Sequence, residues 1–170
     1  MRLNGQTDFS LRLLIYLATK NGGPATIQEV SSRMGLSQTH MMRVAAKLVA
    51  NGLLLSSRGR QGGISLGRDA SEITVEEVVR KMEPDFALVQ CMEPLGGECL
   101  IEPACLLKGV LSSALAAFFS ELKGVTIAQL IQPKRAHLSQ ILRLDIPPDR
   151  FNPAATLSGP RHSRAKYQIT

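Results

Sequence analysis

The sequence predicts a mainly α-helical chain that carries one two-stranded hairpin and one long apolar helix. Three observations lead there. The 170 residues include only 4% aromatics and no Trp, and they are rich in Leu and Ala, a composition that favours helix over sheet. Apolar residues recur at 3.6-residue spacing in several windows between clear stop signals. A single Gly-rich basic stretch, Arg58–Gly63, sits between two short apolar runs.

The first helix is expected from Asp8 to Lys20, with Thr7 as its N-cap and Leu11, Leu14, Ile15 and Ala18 as its buried stripe. Asn21-Gly22-Gly23-Pro24 stops it. Thr26 and Glu29 have capping-box spacing and open a second helix, which Gly35 ends as the left-handed turn residue. Ser37 caps a third helix that runs to about Asn51, with Val44, Ala45, Leu48 and Val49 facing inward. Two helices joined through Gly35-Leu36-Ser37 make a helix-turn-helix pattern. Leu53–Leu55 and Ile64–Leu66 form a hairpin directly after it, which completes a winged helix-turn-helix with a two-stranded wing.

Thr74 and Glu77 repeat the capping-box spacing and open a fourth helix, which ends at about Met82 before Pro84. An irregular stretch follows to Pro103. A long helix is then expected from about Ala104 to Leu122, with Leu107, Val110, Leu111, Ala114, Leu115, Phe118 and Leu122 apolar. A stripe this wide in a small domain calls for a partner, and a second copy of the chain is the expected one. A short last helix is expected over Thr126–Ile131. Residues 133–170 hold five of the nine prolines and read as a flexible basic tail, with a short helical piece near Ala136–Leu144. The expected organisation is therefore a DNA-binding domain over 1–82, a cysteine loop over 83–105, a dimerisation helix and short last helix over 104–132, and the tail.

Charge is unevenly spread. Residues 1–70 carry nine Lys/Arg and three acids, residues 71–132 carry four and nine, and residues 133–170 carry seven and two. A basic first half points to a polyanion, and the helix-turn-helix makes that double-stranded DNA. Ser37, Gln38, Thr39 and His40 occupy the first turn of the recognition helix, where base edges and phosphates are met. Arg43 and Lys47 continue that face; Gln38 suits adenine and Arg43 guanine. In the wing, Arg58 and Arg60 supply charge, and Gly62 and Gly63 let backbone N–H groups approach phosphate.

All three cysteines fall in one window, as Cys91-x7-Cys99-x5-Cys105. Clustered thiols suggest a soft metal or an iron–sulfur cluster, 2Fe-2S or 4Fe-4S, with one further ligand from elsewhere. No His lies between Cys91 and Cys105, and no paired Cys-x2-Cys of a zinc ribbon is present. The odd cysteine count and the absence of an apolar export segment near Met1 suggest a cytoplasmic protein without disulfides. No apolar run approaches the ~18 residues of a membrane span. No nucleophile–base pair or phosphate loop argues for an enzyme.

Several separate segments resemble the bacterial winged-helix iron–sulfur regulators that include NsrR, IscR and RirA. These are Met1-Arg2-Leu3 with Thr7-Asp8 and Leu11-Arg12, the wing Arg58–Gly67, Val78-Val79-Arg80 with Glu83-Pro84, Leu88–Cys91, and Cys99–Cys105 with Leu107-Lys108. The last three are closest to the nitric-oxide-sensitive members. The likeness covers roughly residues 1–131. It implies a homodimer crossed by the long helix, bound to a palindromic operator as a repressor, with Cys91, Cys99 and Cys105 holding an iron–sulfur cluster and nitric oxide as the signal. In some members an N-terminal aspartate of the other subunit is the fourth ligand, and Asp8 matches that position; from the residues alone, Asp8 equally favours a helix start through the dipole. The seven-residue gap after Cys91 is longer than in some members, and no His stands at 106–110, which separates the chain from the IscR type. Regulation by iron or cluster supply is the alternative within the family. A zinc- or thiol-switched interaction module is the alternative outside it.

Overall fold

A computed structural model describes residues 2–20, 23–59, 62–93, 96 and 99–144. Helix α1 spans Gly5–Lys20. It begins one turn before the expected start, because Asn4, not Thr7, caps it: the Asn4 Oδ1 accepts from the Thr7 N–H at 2.9 Å. Thr7 is thereby buried inside the first turn.

Helices α2 (Ile27–Met34) and α3 (Gln38–Ala50) follow. Gly35 takes the left-handed conformation at φ 63° that the turn between them requires. Strands β1 (Leu54–Ser57) and β2 (Gly63–Leu66) pair antiparallel, with Leu54 opposite Leu66. A bridge between Ala25 and Ile64 extends this ladder onto the segment before α2: Ala25 N–H donates to the Ile64 carbonyl at 2.9 Å and Ile64 N–H to the Ala25 carbonyl at 2.8 Å.

Helix α4 covers Val75–Met82, α5 covers Leu107–Lys123 and α6 covers Ile127–Ile131. Between α4 and α5 the described residues make two single 3₁₀ turns, Gln90–Met92 and Glu102–Ala104, so Ala104 belongs to a turn and α5 starts later than expected. Both expected capping boxes form by half. Thr26 and Thr74 accept from the N–H of Glu29 and Glu77 at 3.0 and 3.1 Å, but each carboxylate is drawn to cations instead of reaching back. A complete box opens α6, between Thr126 and Gln129.

Leu13, Leu14, Tyr16, Met41, Leu48, Leu53, Ile73, Met82 and Ile127 form the main core among α1, α3, α4 and α6. A second cluster, Val75, Val79 and Phe119, joins α4 to α5. In α5 only Phe119 is buried, while Leu107 and Val110 are 53% and 62% exposed. Leu115, Phe118 and Leu122 pack against this second cluster, whereas Leu107 and Val110, at the N-terminal end of the stripe, have no such cover among the described residues. Beyond Gln132 the chain continues past the expected limit of the folded part. Helix α7 (Arg135–Ile141) and Leu142, which is buried, pack back on the main core, and Arg135 donates to the Thr19 carbonyl at 3.4 Å. The remaining tail, 145–170, lies outside the described residues. No helix among the described residues is long and apolar enough to cross a membrane.

Candidate DNA interface and cysteine segment

The α2–α3 turn presents the recognition helix with its first turn outward. Ser37 stands at the N-cap without using its hydroxyl as a cap, and Ser37, Gln38, Thr39 and His40 are all exposed. The helix N-terminus adds its positive dipole end to these side chains. The His40 ring stacks on Phe9 of α1 with centroids 6.3 Å apart, which restrains it. Arg43 is exposed one turn on. Met42, 51% exposed, shares this face and went unnoticed in the sequence, although its spacing from Gln38 and Thr39 places it there. An apolar side chain on a reading helix suits a thymine methyl.

Lys47 is placed differently from its neighbours. Its ammonium donates to the Met82 carbonyl, the last of α4, at 2.8 Å.

In the wing Arg58 is exposed, and Arg60 lies outside the described residues. The two glycines have an internal role that the sequence did not show. Gly62 N–H donates to the Gly59 carbonyl at 2.9 Å, so the hairpin itself uses that donor. A Cβ on Gly62 would meet Ser57 O at 2.5 Å, and one on Gly63 would meet Ala25 O at 2.6 Å. Their absent side chains close the wing tip and let the wing dock against Ala25.

Two carboxylates serve the scaffold. Burial pushes the Glu29 carboxyl up, but hydrogen bonds from Lys20 at 2.8 Å and the Tyr16 hydroxyl at 2.9 Å outweigh it, and its pKa falls below the usual value. Burial first, then the Glu29 carboxylate, raises the Tyr16 phenol. Glu77 behaves like Glu29: burial raises it, while Arg68 at 2.6 Å and Lys81 at 2.8 Å lower it further than burial lifts it.

The cysteines lie on the irregular connection between α4 and α5. Cys91 sits in the first 3₁₀ turn, half-buried; Cys99 is exposed; Cys105 follows the second turn, half-buried. All three are free thiols. Among the described residues no three His, Cys, Asp or Glu side chains stand close enough to hold a metal ion, so the expected ligands do not converge in the single chain. The donor set nevertheless fits an iron–sulfur group in its chemistry: three soft thiols, unpaired and outside the packed cores. Lys108 pairs with Glu102 at 2.9 Å, which raises its pKa, with a smaller push from Cys91. Asp8 is paired with Arg12 one turn along α1, at 2.7 Å.

The connection is also held at its root. Glu83 receives two hydrogen bonds from Asn4, from the backbone N–H and from Nδ2, each 2.8 Å. Phe86, a few residues on, packs edge-on against Phe119 at 4.8 Å, and the Arg80 guanidinium lies 3.6 Å over the Phe119 ring.

Comparison with known proteins agrees with this arrangement. The Rrf2 family, described as an iron-dependent transcriptional regulator, matches residues 3–133. The HTH-type transcriptional regulator NsrR of Bacillus subtilis is 40% identical over 135 residues, covering 79% of this chain and 92% of the relative. NsrR of Bacillus licheniformis is 38% identical over 143 residues, covering 84% and 99%. Among solved structures, T. potens IscR superposes with a TM-score of 0.64 at 22% identity, covering 78% of this chain and 88% of that one. Oxidised CymR of Staphylococcus aureus superposes with a TM-score of 0.60 at 23% identity, covering 76% and 95%. With its helix-turn-helix, its wing and this kinship, the chain is a DNA-binding transcriptional regulator and not an enzyme, and it belongs to the Rrf2 family.

Proposed function

We propose that the protein is a homodimeric repressor that senses nitric oxide through an iron–sulfur cluster held by Cys91, Cys99 and Cys105. The observation that carries this reading is the position of the three free thiols. They occupy the one connection between α4, which packs in the core with the recognition helix, and α5, the helix whose N-terminal end exposes Leu107 and Val110. When bound, an iron–sulfur cluster supplies iron atoms to which nitric oxide binds. The kinship to NsrR supports that signal.

The chain's own residues do the rest. Leu107 and Val110 offer α5 to a second copy, which sets the separation of two recognition helices on a palindromic operator. Ser37, Gln38, Thr39, His40, Met42 and Arg43 read the major groove, and Arg58 and Arg60 of the wing contact the backbone or minor groove. Asp8 is the candidate fourth donor, a hard carboxylate on a soft centre, and it must part from Arg12 to serve. Iron supply as the signal is the second reading, favoured by the family's description as iron-dependent.

The test is the visible spectrum of anaerobically purified protein, followed by operator release on adding a nitric oxide donor or, separately, an iron chelator. A brown protein that a donor releases faster and more fully than a chelator supports the first reading. Release by chelator alone supports the second. A colourless protein that also fails anaerobic reconstitution with iron and sulfide overturns both and leaves zinc or thiol redox.

A further inference from the structure

The C-termini of α3 and α4 are capped by each other's lysines. Lys47 of α3 donates to the Met82 carbonyl at 2.8 Å. Lys81 of α4 donates to the Asn51 carbonyl, at the C-cap of α3, at 2.9 Å. Each cation thus sits at the negative end of the other helix and satisfies a carbonyl with no partner inside its own helix. The next residue, Glu83, is gripped by Asn4, whose side-chain oxygen caps α1 and whose Nδ2 also reaches the Met82 carbonyl at 3.5 Å. Glu83 and Pro84 begin the connection that carries the cysteines. One carbonyl, that of Met82, therefore joins the reading helix, the start of α1 and the root of the cysteine segment.

A lysine on a recognition helix ordinarily reads as a phosphate contact, and the sequence pattern suggests that here. The structure instead turns this ammonium inward, to a partly buried carbonyl on another helix. We propose that Lys47 is a positioning residue. With Lys81 it locks the recognition helix to the end of α4, and through Met82 and Glu83 it passes a displacement of the cysteine segment to α3. The relay rests on the sensing function proposed above; the positioning role does not.

Salt dependence separates the two roles. Each phosphate that a protein neutralises contributes about 0.9 to the slope of log K against log salt on duplex DNA. The experiment uses full-length Lys47→Met protein, purified anaerobically, with operator affinity measured across a salt series before and after iron chelation or nitric oxide donor. The wild-type slope should persist in Lys47→Met, while the ratio of affinities between iron-loaded and treated protein falls to near unity. A slope reduced by about one phosphate, with the ratio intact, overturns the proposal. Lys81→Met breaks the lock from α4, away from the reading helix, and should likewise lower the ratio at unchanged slope; an unaltered ratio in Lys81→Met overturns the proposal even if Lys47→Met fails to fold. A wild-type protein indifferent to both treatments overturns the sensing reading and the relay with it, while the slope in Lys47→Met still decides whether Lys47 positions the helix.

Discussion

Replacing Gly63 by Ala tests why the wing carries its glycine pair. The added Cβ falls 2.6 Å from the Ala25 carbonyl oxygen, 3.0 Å from its carbon and 3.1 Å from the Pro24 Cβ. The two nearest atoms are backbone and the third belongs to a proline ring, so no side-chain rotation relieves the clash. The wing must move away from Ala25, and the two bridge hydrogen bonds between Ala25 and Ile64, at 2.9 and 2.8 Å, are the bonds that open. Each is worth roughly 0.5–1.5 kcal/mol net. The smaller unfolded-state entropy of Ala returns about 0.4–1 kcal/mol. At the middle of these ranges the balance is a loss of about 1.3 kcal/mol, a sizeable share of a domain's margin. Urea unfolding followed by far-ultraviolet circular dichroism measures it, since the chain has no Trp to report by fluorescence. Operator affinity should fall in parallel, because the wing leaves its docked position. A Gly63→Ala protein with an unchanged or raised urea midpoint would refute the argument, and the glycine would then be free to serve phosphate alone.

Gly109→Ala is the counterpart: beyond its chain neighbours and its own helix backbone, no described atom stands within 4 Å of its Cβ position on α5, so the change should raise stability by about 0.5–1 kcal/mol, read from the same urea curves. Val110→Asp places a charge on the exposed N-terminal end of α5 and should yield a folded monomer in analytical ultracentrifugation; a persisting dimer would move the proposed interface elsewhere. Glu77→Gln tests the linkage at α4. The folded pKa of Glu77 lies below the ordinary 4.5, so its ion pairs with Arg68 and Lys81 stabilise the protein above that pH, and the contribution disappears as pH falls through the lowered value. Thermal midpoints should therefore drop less steeply below pH 4.5 in the variant than in the wild type, and equal slopes would count against the pairing.

Local chemistry was readable along the chain wherever a residue's role depends on its near neighbours. Gly35 had to sit at positive φ between two periodic helices, and Thr26 and Thr74 had to meet the N–H three residues on. The wing followed from two apolar runs around a Gly-rich tip, and the cysteine window from counting. Where a side chain had a choice of partner, the sequence was silent. Glu29 and Glu77 could turn back to their caps or out to other side chains, and the fold settled it by bringing Lys20 and Tyr16 to Glu29 and Arg68 and Lys81 to Glu77, since a pair of opposite full charges is stronger than a carboxylate on one backbone N–H. Lys47 had the pattern of a DNA contact until the fold placed the Met82 carbonyl within its reach, 35 residues away in sequence. Leu138, Leu142 and Leu144 fell in a stretch read as a basic tail with only a short helical piece, yet α1 provides a surface for them to cover. The sequence determined which main helices and which hairpin form, and where the cysteines cluster along the chain. Only the tertiary structure decided which charges stay exposed and which hold the scaffold, since burial and partner distance exist only once distant segments meet.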